Sequence, residues 1–180
     1  LDCGIKAVNE VNYAKKKEID YIICDHHLPG ETIPNGIVLN PKQKECPYPF
    51  KELSGAGVGF KLLQAFCKQN NINIQKANKH LDLLAISIGA DMVPLVEENR
   101  VLAQYGIEKL NQEPTLGIKA IITNAKIERY VNMRDIGFSI GPRINAAGRI
   151  SHAKKAVELL KTNSENAAKQ ISEEVNLNNI

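Results

Sequence analysis

Asp25, His26 and His27 stand in a row behind the apolar, β-branched run of residues 19–24, and Pro29-Gly30 soon follows. One carboxylate and two imidazoles in three residues offer metal ligands, a phosphate-facing group and a partner that orients a ring. Read alone, such a triplet is equally a solvated turn. Asp91 adds a carboxylate at the end of a hydrophobic element, in Ala90-Asp91-Met92-Val93-Pro94-Leu95. It could be an ordinary helix C-terminal turn residue, but an acid there opposes the helix dipole, which favours a ligand role. A third group is Gly141-Pro142-Arg143-Ile144-Asn145-Ala146-Ala147-Gly148-Arg149. Its small residues would let backbone amides, Asn145 and the guanidinium forks of Arg143 and Arg149 approach a phosphate, which makes a poor core and a good anion clamp.

These side chains need elements to place them. Leu1-Asp2-Cys3-Gly4 reads as a strand end, and residues 5–17 read as a helix with Ala7, Val8, Val11 and Ala14 on one face. The run 19–24 suits a buried parallel strand. A β-α-β order implies a right-handed crossover, so Asp2 and Asp25 would lie at equivalent carboxyl ends of neighbouring strands, where open α/β sheets bind ligands. Residues 37–39 form another short strand, 42–51 a proline-bearing loop, and a helix runs from 53 to about 69. Its Ser54-Gly55-Ala56-Gly57 is not a phosphate loop, having no strand immediately before it and no Gly-Lys-Ser/Thr ending; close packing with Ser54 as N-cap is the expectation. Helices are expected over 80–90, 97–111, 116–125, 153–161 and 165–178, and an extended stretch over 134–140. His80 reads as an ordinary surface or capping histidine. The fold class is α/β: a parallel β-sheet flanked by helices, followed by a helical region. Residues 1–150 form the expected core and 151–180 the linker helices.

With 180 residues, 43% hydrophobic and 24% charged, the chain can bury a real core. No run is long enough for a membrane span. Cys3, Cys24, Cys46 and Cys67 follow no zinc or disulfide spacing and read as reduced thiols, which suggests a cytoplasmic setting. The net charge of +3 is unevenly spread. Residues 119–155 carry eight Lys or Arg against two acids, +6, leaving −3 for the remainder. Such a basic segment suits an anionic partner met by one face.

Taken together, Asp25-His26-His27, Leu1-Asp2-Cys3-Gly4-Ile5, Leu53-Ser54-Gly55-Ala56-Gly57, the Asp91 segment and the Gly141 to Arg149 run resemble the DHH phosphoesterase superfamily, within it the RecJ-type branch of single-strand-specific exonucleases. The resemblance covers essentially the whole chain. It implies a pair of divalent ions, Mn2+ or Mg2+, with Asp2, Asp91 and His26 as metal ligands, Asp25 as a ligand or an orienting group, and His27 facing the scissile phosphate. Arg143, Asn145 and Arg149 would hold a nucleic-acid backbone. Hard oxygens with imidazoles suit such ions better than a structural zinc. The family pattern also has an acidic strand end before Asp2 and a glycine-rich substrate domain after the linker helices. The chain is therefore expected to be a fragment, inactive alone.

The activity so implied is 5′ to 3′ hydrolysis of single-stranded DNA in repair and recombination, with DNA-repair or single-strand-binding proteins as further partners. One alternative is a phosphodiesterase of the same superfamily acting on oligonucleotides or cyclic dinucleotides. Another is a non-catalytic nucleic-acid-binding scaffold. The basic segment argues against small substrates, and the retained ligand residues argue against a scaffold. With no Trp, backbone gripping is the expected mode, not base readout.

Overall fold

Hydrophobic periodicity and caps account for most of the elements in the computed structural model, which describes the backbone of residues 1–150 and 153–177 and the side chains of 1–145 and 154–174. The chain divides into two compact units. The first comprises Leu1–Lys79 and Val93–Val101, the second His80–Met92 and residues 102 onward.

In the first unit, α1 (Val8–Lys15) buries Val11 and Ala14 and leads to β1 (Ile22–Cys24), which pairs in parallel with β2 (Ile37–Leu39). Ile22 lies opposite Ile37 and Cys24 opposite Leu39. The parallel pairing expected of an α/β sheet is present, but on a small scale: the described sheet has two strands. The first residues do not form a strand; Asp2 N–H donates to Cys24 C=O at 2.8 Å and so joins the end of β1. β1 is also less enclosed than its composition suggests. Ile23 and Cys24 are buried, whereas Ile22 and Ile37 are 58% and 60% exposed. Enclosure grows along both strands toward their carboxyl ends: β1 runs exposed, buried, buried, and β2 opens on an exposed residue and continues half-buried.

The loop after β2 contains no regular element and reaches α2 (Gly55–Gln69). Ser54 caps that helix, its Oγ accepting from Gly57 N–H at 3.1 Å, as the sequence implies. The short α3 (Gln75–Asn78) follows. Ile5, Leu53, Val58, Phe60, Cys67 and Ala77 are buried here. Among residues 93–101, Asn99 is buried and donates to Glu52 C=O and Pro94 C=O.

The second unit is helical. α4 (Leu81–Ala90) begins at His80, and Asp82, Leu84, Ala85, Ile86, Ile88 and Gly89 are all buried, so it is a core helix and not a one-faced one. α5 (Glu97–Gln112), α6 (Leu116–Asn124), α9 (Ala153–Lys161) and α10 (Glu165–Leu177) are where periodicity places them. Ile118, Ile121, Leu110, Leu159 and Ala168 share one core, and α9 and α10 both pack on α6. Helices after residue 150 thus belong to the second unit's core.

The expected extended stretch 134–140 is instead helical. α7 (Met133–Asp135) is followed by a π-helical turn (Ile136–Ile140) and by α8 (Gly141–Ile150). Gly141 N–H bonds Ile136 C=O, a five-residue step. Pro142 cannot donate to Phe138 C=O, so the regular ladder is interrupted there and a wider turn is accommodated. Ile136 and Ile140 are both fully buried. Gly89 lets this turn approach α4, since a Cβ on it would lie 2.6 Å from Ile136 Cγ2 and 2.7 Å from Met133 Sδ.

Candidate metal centre and anion clamp

The end of β1 turns through Asp25, His26 and His27, and the turn is organised by a carboxylate that no solvent reaches. Asp25 Oδ1 accepts from His26 N–H at 2.8 Å, from His27 N–H at 3.1 Å and from the His27 ring at 2.7 Å. Oδ2 accepts from Ile5 N–H at 2.9 Å. Burial alone would raise the Asp25 pKa, but the Ile5 amide, the His27 ring and the His27 and His26 amides outweigh it and bring it to about 2. An ionised carboxylate only accepts, so His27 Nδ1 donates to it and Nε2, across the ring, is turned away from Asp25. Asn40, buried at the end of β2, adds a second brace: its Nδ2 donates to His27 C=O at 2.8 Å while its Oδ1 accepts from Lys42 N–H.

Asp2 completes the cluster. Its carboxylate lies 3.2 Å from His26 Nε2, and the two histidine rings meet edge to face at 4.5 Å between centroids. Ligand atoms of Asp2, His26 and His27 all lie within 4.8 Å of one another. Asp2 is held in left-handed backbone, φ 63°, which costs a non-glycine residue energy and is concentrated at functional sites. One hard carboxylate with two imidazoles, and no thiolate among them, suits Mn2+ or a similar divalent ion.

Of the residues singled out in the sequence, Asp2, Asp25, His26 and His27 are therefore brought together in the first unit. Asp91 belongs to the second unit, where it is the exposed C-cap of α4. Arg143 and Asn145 lie on α8; Arg143 Nη1 donates to Ser139 C=O at 2.8 Å, in the π turn. Arg149 is on α8 too, but its side chain lies outside the described residues. The basic segment is not all available. Arg129 makes a bidentate bond to Asp135, at 2.7 and 2.8 Å. Asp135 also accepts from Asn132 N–H while Asn132 caps α7 in return. The Arg129 guanidinium, as donor and as charge, lowers the Asp135 pKa against the opposing effect of burial. Asn40 escaped the sequence reading as a site residue, and Gly55, for which close packing was expected, gained its partner Asp2 only in the structure. An Asn-Pro directly after a strand is a faint signal for the first; the second is visible only from its contacts. All four cysteines are free, and no described helix is long and apolar enough to cross a membrane.

Comparison with known proteins points one way. Residues 1–88 match the DHH family, N-terminal domain. The single-stranded-DNA-specific exonuclease RecJ of Bacillus subtilis is 41% identical over 177 residues, which cover 97% of this chain and 22% of that protein. RecJ of Haemophilus influenzae is 37% identical over 183 residues, covering 96% of this chain and 32% of that protein. The crystal structure of RecJ in complex with Mn2+ from Thermus thermophilus matches with a TM-score of 0.89 at 31% identity, over 99% of this chain and 27% of that one. The chain thus spans between a fifth and a third of the length of these curated relatives.

Proposed function

We propose, from the match of residues 1–88 to the DHH family, N-terminal domain, that the chain is part of a divalent-metal-dependent exonuclease that hydrolyses phosphodiester bonds in single-stranded DNA, in the 5′ to 3′ direction. The observation that carries this reading is the Asp2, His26 and His27 cluster, steered from behind by the buried Asp25. Asp2 and His26 would hold Mn2+ or Mg2+. When bound, paired ions of this kind supply an activated water and stabilise the negative charge that develops on the phosphate.

The chain's own residues do the positioning. Asp25 fixes the His27 ring and both turn amides, so His27, more than half exposed, faces the phosphodiester in one orientation. Asp25 acts as an orienting group, because its four accepted hydrogen bonds occupy both oxygens in the interior. Arg143, Asn145 and Arg149 would grip the strand's phosphates, and such contacts make affinity fall with salt. Because Arg129 is engaged by Asp135, the grip rests on fewer cations than the segment's charge suggests.

The test uses the intact protein with labelled single-stranded and duplex DNA. Mn2+-dependent release of nucleotides from single strands only is expected, with loss of roughly 100-fold in His26→Ala and Asp2→Ala, the order expected when ligands or their supports are removed. Equal cleavage of duplex DNA, or activity that survives chelation, would overturn the reading.

A further inference from the structure

Gly55 opens α2, is buried, and lies against Asp2. A Cβ on Gly55 would sit 1.9 Å from Asp2 Oδ1, 2.6 Å from Cγ and 2.8 Å from Asp2's own Cβ. Contacts this short are not relieved by rotating the carboxylate, since the Asp2 Cβ is itself too close; the Asp2 backbone would have to shift. That backbone has little slack: it is already left-handed, and its amide is tied to Cys24 C=O. Two residues along the same helix, Gly57 is different, because a Cβ there would meet nothing nearer than 3.4 Å. Helix propensity favours alanine over glycine at both positions, so propensity cannot explain Gly55.

We infer that Gly55 is a positioning residue of the ion site: the space of its missing side chain is what the Asp2 side chain occupies to reach His26. The inference rests on the reading of Asp2 and His26 as ligands. Its physical basis is tolerance. Functional constellations must be held to about 0.5 Å, and a methyl at Gly55 needs about twice that from Asp2. Ser54 fixes the start of α2 through Gly57 N–H, so the helix does not retreat freely.

The experiment is a Mn2+ titration of the intact protein by calorimetry, alongside thermal unfolding, for wild type, Asp2→Ala, Gly55→Ala and Gly57→Ala. Gly57→Ala is expected to bind Mn2+ as wild type does and to be at least as stable. Gly55→Ala is expected to remain folded and to bind roughly 10- to 100-fold more weakly, the range associated with disturbed ligand support. Binding within twofold of wild type in a folded Gly55→Ala would overturn the inference. Should Gly55→Ala fail to fold, the double variant Asp2→Gly with Gly55→Ala decides: restored folding supports the contact, and continued failure overturns it. Unchanged binding in Asp2→Ala would instead remove the ligand reading. Loss in Asp2→Ala with none in Gly55→Ala would remove only the role of Gly55.

Discussion

The turn at Asp25 and the turn at Asp135 use the same device for different ends. Each centres on a buried aspartate that accepts backbone amides from its own turn and a charge-bearing or ring side chain besides. In the first, the side-chain partner is His27, which keeps its other ring nitrogen for outside work. In the second, the partner is Arg129, whose fork is closed on both carboxylate oxygens. A buried acid can therefore present a functional group or retire one. Only the geometry distinguishes them, because both read in sequence as an acid near a base.

The sharpest way to break this comparison is to remove both acids separately. Asp25→Ala leaves the amides of Ile5, His26 and His27 and the His27 ring without their acceptor, and should cost about 2–4 kcal/mol in denaturant unfolding. Mn2+ binding should be lost with it. Asp135→Ala should cost less, because it strands one backbone amide, that of Asn132, where Asp25→Ala strands three, and it should leave Mn2+ binding unchanged. Equal losses of stability would show that the number of stranded amides does not set the difference.

Acid sharpens it next. Both carboxyls have folded pKa values below the ordinary aspartate value of 3.8, so their stabilisation is complete above that value and fades as pH falls through the folded ones. For Asp25, whose folded value is about 2, the loss amounts to about 2 kcal/mol at most, between about pH 4 and pH 2. Unfolding followed over that range should steepen in wild type and flatten in Asp25→Asn. A profile unchanged by that substitution would remove Asp25 as the origin.

The smallest effect concerns the neighbour that does the opposite of Asp25. Asp2 is exposed, strained and partnered by a ligand-type group, the profile of a residue kept for function. Asp2→Gly should raise stability by about 0.5–1 kcal/mol by relieving the left-handed backbone, while Mn2+ binding weakens. A fall in stability would mean that the Asp2 side chain supports the fold as well as the ion.

Much of this was legible beforehand. Ser54 as a cap and the helices from α4 to α6 follow from local chemistry; Asp2 does meet Asp25, His26 and His27, though through its amide hydrogen bond to Cys24 C=O and not from the end of a neighbouring strand, as expected. The misreadings have physical reasons. Residues 19–22 look buried by type, yet Ile19 and Ile22 are 57% and 58% exposed, because hydrophobicity does not say how far along a strand the covering elements reach; here enclosure starts at Ile23. Ile136 and Ile140, four apart and both fully buried, carried a helical signal that Gly137, Gly141 and Pro142 masked. At Gly55 the expected close packing is present, but its partner Asp2, far away along the chain, was not legible.

The π turn before Arg143 has a consequence for how this chain can vary in length. It amounts to one residue more than an α-helix would use, held by the bond from Gly141 to Ile136. Deleting one residue of Ile136–Ile140 would let the ladder close as regular helix, and because the wide turn completes the same rotation with one residue more, Arg143 and Asn145 would keep their face. What would change is the spacing that seats Ile136 and Ile140, both fully buried. A single codon lost here should therefore cost stability while leaving the facing of Arg143 as it is.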